Sequence, residues 1–124
     1  MKATTKILVS ALTVALGVFG TTTNAVAGSH LWESWAVYSN ADGTIQFVEI
    51  KETHGDSFEN GLGGHTMISH PSGVSKGMHN VTGDTAFTYY LLGTAAYAAL
   101  PGAPPLDEVL PNNFIAATDT SMEY

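Results

Sequence analysis

LWESWAVYSNADGTIQFVEI, residues 31–50, is the stretch that decides the fold. Two runs with strand character, Trp32 to Ser39 and Thr44 to Glu52, flank Asn40-Ala41-Asp42-Gly43. An Asp-Gly step between such runs is a strong hairpin signal, because glycine accepts a positive φ without a Cβ clash and aspartate tolerates one. The second run is rich in β-branched and aromatic residues, which suit a pleated, half-buried surface. Alternation places Trp35 and Val37 on one face of the first strand. On the second it places Ile45, Phe47 and Glu49 opposite Gln46, Val48 and Ile50. Apolar groups on both faces imply a strand at least partly covered on both sides, with Trp35 and Phe47 expected in the core.

Further along, Thr53 to Gly64 is polar and glycine-containing and reads as a loop. His65 to Ser69 is expected to be a short third strand, His70 to Val81 a long loop, and Thr82-Gly83-Asp84 a turn. Ala86 to Leu92, AFTYYLL, has strong strand character, with Phe87, Tyr89 and Leu91 facing away from Thr88, Tyr90 and Leu92. Gly93 is expected to break this strand. Thr94 is placed to N-cap a short helix over residues 95–100, which Pro101 stops. Pro101-Gly102-Ala103-Pro104-Pro105 is a rigid turn, Leu106 to Leu110 is ambiguous, and Asn113-Phe114-Ile115 is read as one more short strand. The chain is therefore mainly β with one short helix. It offers about four or five strands where a closed sandwich takes about seven. Sheet edges left open invite aggregation, so the expectation is a β-sandwich incomplete at its C-terminus.

Residues 1–27 read as a secretory signal peptide. Lys2 and Lys6 form a positive start, Ile7 to Phe19 an apolar stretch, and Ala25-Val26-Ala27 a small-x-small site, so cleavage is expected after Ala27. The apolar stretch is shorter than the ~20 residues a membrane-spanning helix needs. The expectation is a protein that is secreted, periplasmic or on the cell surface, without stable membrane insertion once the leader is removed. A single domain, residues 28–124, follows.

That domain carries all 11 acidic residues but only two cationic side chains, Lys51 and Lys76, and no arginine. Such a surface repels phosphate backbones, which excludes nucleic-acid binding by a basic face, and it attracts cations or basic partners. There is no cysteine, so thiol redox chemistry and thiolate metal sites are excluded.

Phe47-Val48-Glu49-Ile50, followed by a polar loop and Leu62-Gly63-Gly64-His65-Thr66-Met67, resembles the lamin-tail family of immunoglobulin-like domains found in exported bacterial proteins. The family's Phe-Ile-Glu-Leu element matches the first segment. Its Leu-x-Gly-Trp-x-Leu element matches the second, with His65 where tryptophan is usual, and Ala86 to Leu92 would be a following core strand. The likeness spans roughly Trp35 to Leu92 and lacks the family's final strands. His30-Leu31-Trp32, Tyr38 to Gly43 and Gly63 to Thr66 also look like a group of exported bacterial proteins that brings no known activity with it. The resemblance implies an immunoglobulin-like antiparallel β-sandwich serving as a binding or structural module, with no catalytic residues to carry over.

Gly73-Val74-Ser75-Lys76-Gly77 matches the Gly-x-Ser-x-Gly nucleophile elbow, but that chemistry needs a strand before it, a helix after it, and an acid and histidine downstream. Polar loop residues precede it, so it reads as a chance match. Five histidines, His30, His54, His65, His70 and His79, lie between residues 30 and 79. Zn²⁺ or Cu²⁺ needs about three or four converging imidazoles or carboxylates. His65, His70 and His79 are the candidate ligands, although no spacing specific to a metal supports them. Asp42, with Asn40 and Asp56 or Glu59, offers oxygens to Ca²⁺ but lacks the alternation of a calcium loop. Glu49, between apolar neighbours, reads as a carboxylate held by structural hydrogen bonds. Trp32, Trp35, Tyr38, Tyr89, Tyr90 and Tyr97 could in part form a platform for glycan or peptide. The reading is a non-enzymatic module for adhesion, scaffolding or binding of a protein or glycan partner. A small histidine-based metal protein or metal-dependent hydrolase is the alternative.

Overall fold

The computed structural model describes residues 28–124; the leader and its cleavage point lie outside them. Seven strands and one short helix follow in the order β1 (Trp32–Ser39), β2 (Gln46–Glu52), β3 (Thr66–His70), β4 (Ser75–Gly77), β5 (Tyr89–Thr94), α1 (Ala95–Ala98), β6 (Glu108–Leu110) and β7 (Ser121–Glu123). They form a four-stranded sheet, β1-β2-β5-β6, and a three-stranded sheet, β4-β3-β7. The chain is mainly β with two sheets, as expected. The expectation of purely antiparallel pairing is corrected: β6 runs parallel to β5, Leu92 opposite Glu108 and Leu110 opposite Thr94. A parallel return needs a long crossover, and α1 with the proline-rich segment to Asp107 supplies it.

The hairpin forms where the sequence placed it, Ser39 pairing Gln46 and Trp32 pairing Glu52. Its turn is held by local side chains. Asn40 Oδ1 accepts from Ile45 N at 2.9 Å, and Asp42 Oδ1 accepts from Thr44 N at 3.1 Å and from its hydroxyl at 2.6 Å. Gly43 has φ +69°, and a Cβ there would run into the Asn113 side chain, so this position needs glycine twice over.

Between the sheets lies one core: Trp32, Val48, Ile50, Leu62, Met67, Met78, Tyr90, Leu92, Leu110 and Phe114. Trp32 is the buried indole, and its Nε1–H donates to the Glu59 carbonyl at 2.9 Å. Trp35, expected in the core, is 54% exposed. The register of β1 on β2 shifts between Ser34 and Ala36, so a bulge at Trp35 inserts one residue and reverses the alternation beyond it. Trp35 and Val37 therefore end on opposite faces. On β2 the inward face is Gln46, Val48, Ile50 and Glu52, all fully buried, while Phe47 is half-buried on the outer face.

Both polar ends of that inward row satisfy backbone groups of loops. Gln46 Nε2 donates to the Ile115 carbonyl at 2.7 Å, and its Oε1 accepts from Ile115 N at 3.1 Å. One side-chain amide thus does for Ile115 what a neighbouring strand would do, which is why Asn113-Phe114-Ile115 is a turn rather than the expected strand. Glu52 accepts from the backbone N–H groups of His54, Gly55 and Phe87, each at 2.8 Å. Phe87 has φ +57°, a costly conformation for a bulky residue, and the bond to Glu52 helps to hold it. Burial pushes the Glu52 carboxyl up, but the bonds from Phe87, His54 and the neighbouring loop outweigh it and leave it below the usual 4.5.

Gly93 does not break β5; it pairs with Phe47 and with Val109. A Cβ there would stand 2.8 Å from Leu106 and 2.9 Å from Tyr97. The missing side chain lets the crossover lie down on the sheet. Thr94 caps α1 as expected, accepting from Tyr97 N at 3.3 Å, and Ala99 ends the helix ahead of Pro101. Two strands escaped the sequence reading, β4 inside the supposed long loop and β7 at residues 121–123. Both are too short for alternation to be visible. The Tyr124 hydroxyl donates to the Trp32 carbonyl and ties the end of β7 to β1.

Gly93→Ala should destabilise the fold by about 1–3 kcal/mol through overpacking, measured by chemical denaturation. Glu52→Gln should lower the melting temperature strongly at neutral pH and progressively less as the medium is acidified. The folded-state pKa of Glu52 is depressed, so its contribution is present above the unfolded-state value and is lost as pH falls through the folded one. A melting difference independent of pH would contradict this role.

Candidate functional site

The outer face of the four-stranded sheet gathers rings. Lys51 pairs with Tyr89, and Tyr38 with Phe47, in the ladders of β2 with its neighbours. Cross-strand partners share a face, and the bulge swings Trp35 onto it. Trp35 and Tyr89 meet edge to face with centroids 6.3 Å apart, and the Lys51 ammonium lies 4.3 Å and 4.8 Å from their centroids. Tyr38 stacks on Phe47 at 5.9 Å, and Phe47 meets Tyr97 at 5.0 Å. Trp35, Tyr38 and Tyr89 stay about half exposed, at 54%, 47% and 48%. Glu49 lies half-buried on this face, level with Ala36 and Leu91. Of the six aromatics nominated from sequence, Trp32 and Tyr90 belong to the core, and the other four line this face.

A second cluster joins the two sheets at their other side. Glu108 of β6 accepts from His79 Nδ1 at 2.6 Å and pairs with Lys76 of β4 at 3.0 Å. Burial pushes the Glu108 carboxyl up, but His79 and Lys76 more than offset it and leave it below its ordinary value. The Tyr90 hydroxyl accepts from His79 N at 3.1 Å and donates to Glu108 at 3.3 Å. Burial, together with the charges of Glu108 and Asp107, pushes the Tyr90 phenol up to about 12, against a smaller lowering by the His79 backbone.

The three histidines nominated for metal are not brought together. His65 bonds Ser29 at 2.7 Å, His70 lies 3.4 Å from Glu123, and His79 is held by Glu108. His65 precedes β3 and His70 is its last residue. Among the described residues no three His, Asp or Glu side chains gather as a metal site. The oxygens considered for Ca²⁺ are spread likewise: Asp42 is engaged by Thr44, Asp56 by Phe58 N, and Glu59 by Leu31 N. Ser75 opens β4 and faces solvent, pairing with Ile68 rather than sitting at a strand-to-helix turn.

Sequence reasoning missed Asp119, whose carboxylate gathers the hydroxyls of Ser69 and Ser72 at 2.6 Å and the backbone N–H groups of Ser72 and Ala116. Burial raises its pKa, but these four donors outweigh burial and hold it well below the usual carboxylate range. It also missed the buried Glu52, having looked to Glu49, and considered Glu59 only as a calcium ligand, whereas Glu59 too is buried. Each of these acids takes at least one of its partners from far away in sequence, Glu52 from Phe87, Glu59 from Leu31 and Asp119 from Ser69, and that part leaves no local signature. Among the described residues no helix is long and apolar enough to cross a membrane.

No family model matches the chain, and neither curated proteins nor solved structures compared with it give a match.

In a spectrophotometric titration one tyrosine should ionise only near pH 12, and Tyr90→Phe should delete that step. Complete tyrosine ionisation well below that pH in the folded protein would contradict the assignment.

Proposed function

We propose that this chain is a non-enzymatic β-sandwich module of lamin-tail-like, immunoglobulin-like type, exported behind its leader, that holds a partner on the outer face of the four-stranded sheet. The observation that carries the reading is the ring array of that face. Trp35, Tyr38 and Tyr89 each leave about half of their surface in water on a rigid sheet. Exposed rings supply large contact area at low entropic cost. Neutral glycan is the ligand class we favour. Sugar rings offer apolar C–H faces to such side chains, and Glu49 and Lys51 stand beside them as hydrogen-bonding groups. The leader read in residues 1–27 supports export, where extracellular polysaccharide is met. The separate partners of His65, His70 and His79 and the strand position of Ser75 favour binding over chemistry.

Retention of the purified exported protein on insoluble cellulose, chitin and cell-wall polysaccharide tests the proposal. Retention on at least one matrix is expected, with Trp35→Ala and Tyr89→Ala each weakening it about tenfold or more while the melting temperature barely changes. No retention on any matrix, or retention indifferent to both substitutions, would overturn it.

A further inference from the structure

A groove of about 390 Å³ runs between β1 and β7, on the opposite side of β1 from the rings, with Val37, Ile115 and Met122 as its apolar lining. Both strands are edges, β1 of the first sheet and β7 of the second. Val37 pairs with Val48, which is completely buried, yet Val37 itself is 50% exposed. The inward row of β1 is thus in the core at Trp32 and out of it at Ser34 and Val37. Tyr124 bonds to Trp32 at the start of β1, and Gln46 bridges Ser39 at its end to Ile115. Between those bonds the free edge of β1 reads Ser34-Trp35-Ala36-Val37-Tyr38-Ser39, with no charge and no proline. Natural edge strands are normally protected by such residues, and an unprotected apolar edge is a template for another strand. The bulge at Trp35 leaves Ala36 to Ser39 as the longest regular run.

We infer that this edge receives an extended segment of a partner protein as an added strand. Its alternate side chains would enter the groove against Val37, Ile115 and Met122. Main-chain bonds to β1 would give affinity and the groove specificity, as in strand addition generally. Charge selects the partner's flanks. The two cations of residues 28–124 are already engaged, Lys51 over its rings and Lys76 on Glu108, while Asp119 lines the groove and these residues carry 11 acidic side chains in all. A segment with aliphatic residues at alternate positions and Lys or Arg at its ends is the complement. This surface is distinct from the ring face, so the inference stands apart from the glycan reading.

Fluorescence anisotropy with the purified exported protein tests it, using a labelled peptide of alternating valine and threonine flanked by lysines. Control peptides carry glutamate flanks or a central proline. Saturable binding of the lysine-flanked peptide is expected, weakened roughly tenfold or more by either control and by Val37→Lys or Met122→Ala. Hydrogen exchange should slow at residues 36–39 on binding. Absence of binding, or binding indifferent to the proline and to both groove substitutions, would overturn the inference. So would a dimer by light scattering that protects residues 36–39 without peptide, because the edge would then belong to a second copy of the chain.

Discussion

Strand β2 has a fully buried polar side chain at each end of its inward face, and much of the molecule is arranged to satisfy those two groups. Buried polar atoms are expensive unless bonded. Gln46 meets the requirement by acting as a surrogate strand for Ile115, which brings Phe114 into the core. Glu52 meets it by collecting amides from two loops, one of which carries the left-handed Phe87. Between them Val48 and Ile50 supply apolar contact. The strand is at once the centre of the core and the anchor of segments that form no sheet.

The parts of the fold that were legible in the sequence are those whose cause is local. Asn40, Asp42 and Gly43 make their turn with their immediate neighbours, so the hairpin could be read before any tertiary contact was known. Thr94 capping α1 is of the same kind. The failures are equally physical. Trp32 and Trp35 stand three residues apart, and only the bulge decides which indole is buried. Gly93 looks like a breaker in one dimension and is a contact point in three, because Tyr97 and Leu106 need its vacant side. Strands β4 and β7 owe their existence to β3, which pairs with both.

The candidate surfaces divide in the same way. That aromatic residues were available was plain from composition. That Trp35, Tyr38 and Tyr89 remain outside, with Lys51 set between two rings, depends on register and on one inserted residue. The histidines show the converse. Their density in the sequence drew attention, but the strands distribute them among separate carboxylate and hydroxyl partners.

The acids Glu52 and Asp119 are held by amides and hydroxyls, not by lysines. With 11 carboxylates and only two lysines in residues 28–124, most negative charge has no cation to face. Contact hydrogen bonds to neutral donors are little affected by dissolved ions, whereas repulsion between exposed carboxylates is screened within about 10 Å at 0.1 M salt. The molecule is therefore built to gain from salinity: added electrolyte removes its main electrostatic penalty while leaving the bonds that organise its loops in place.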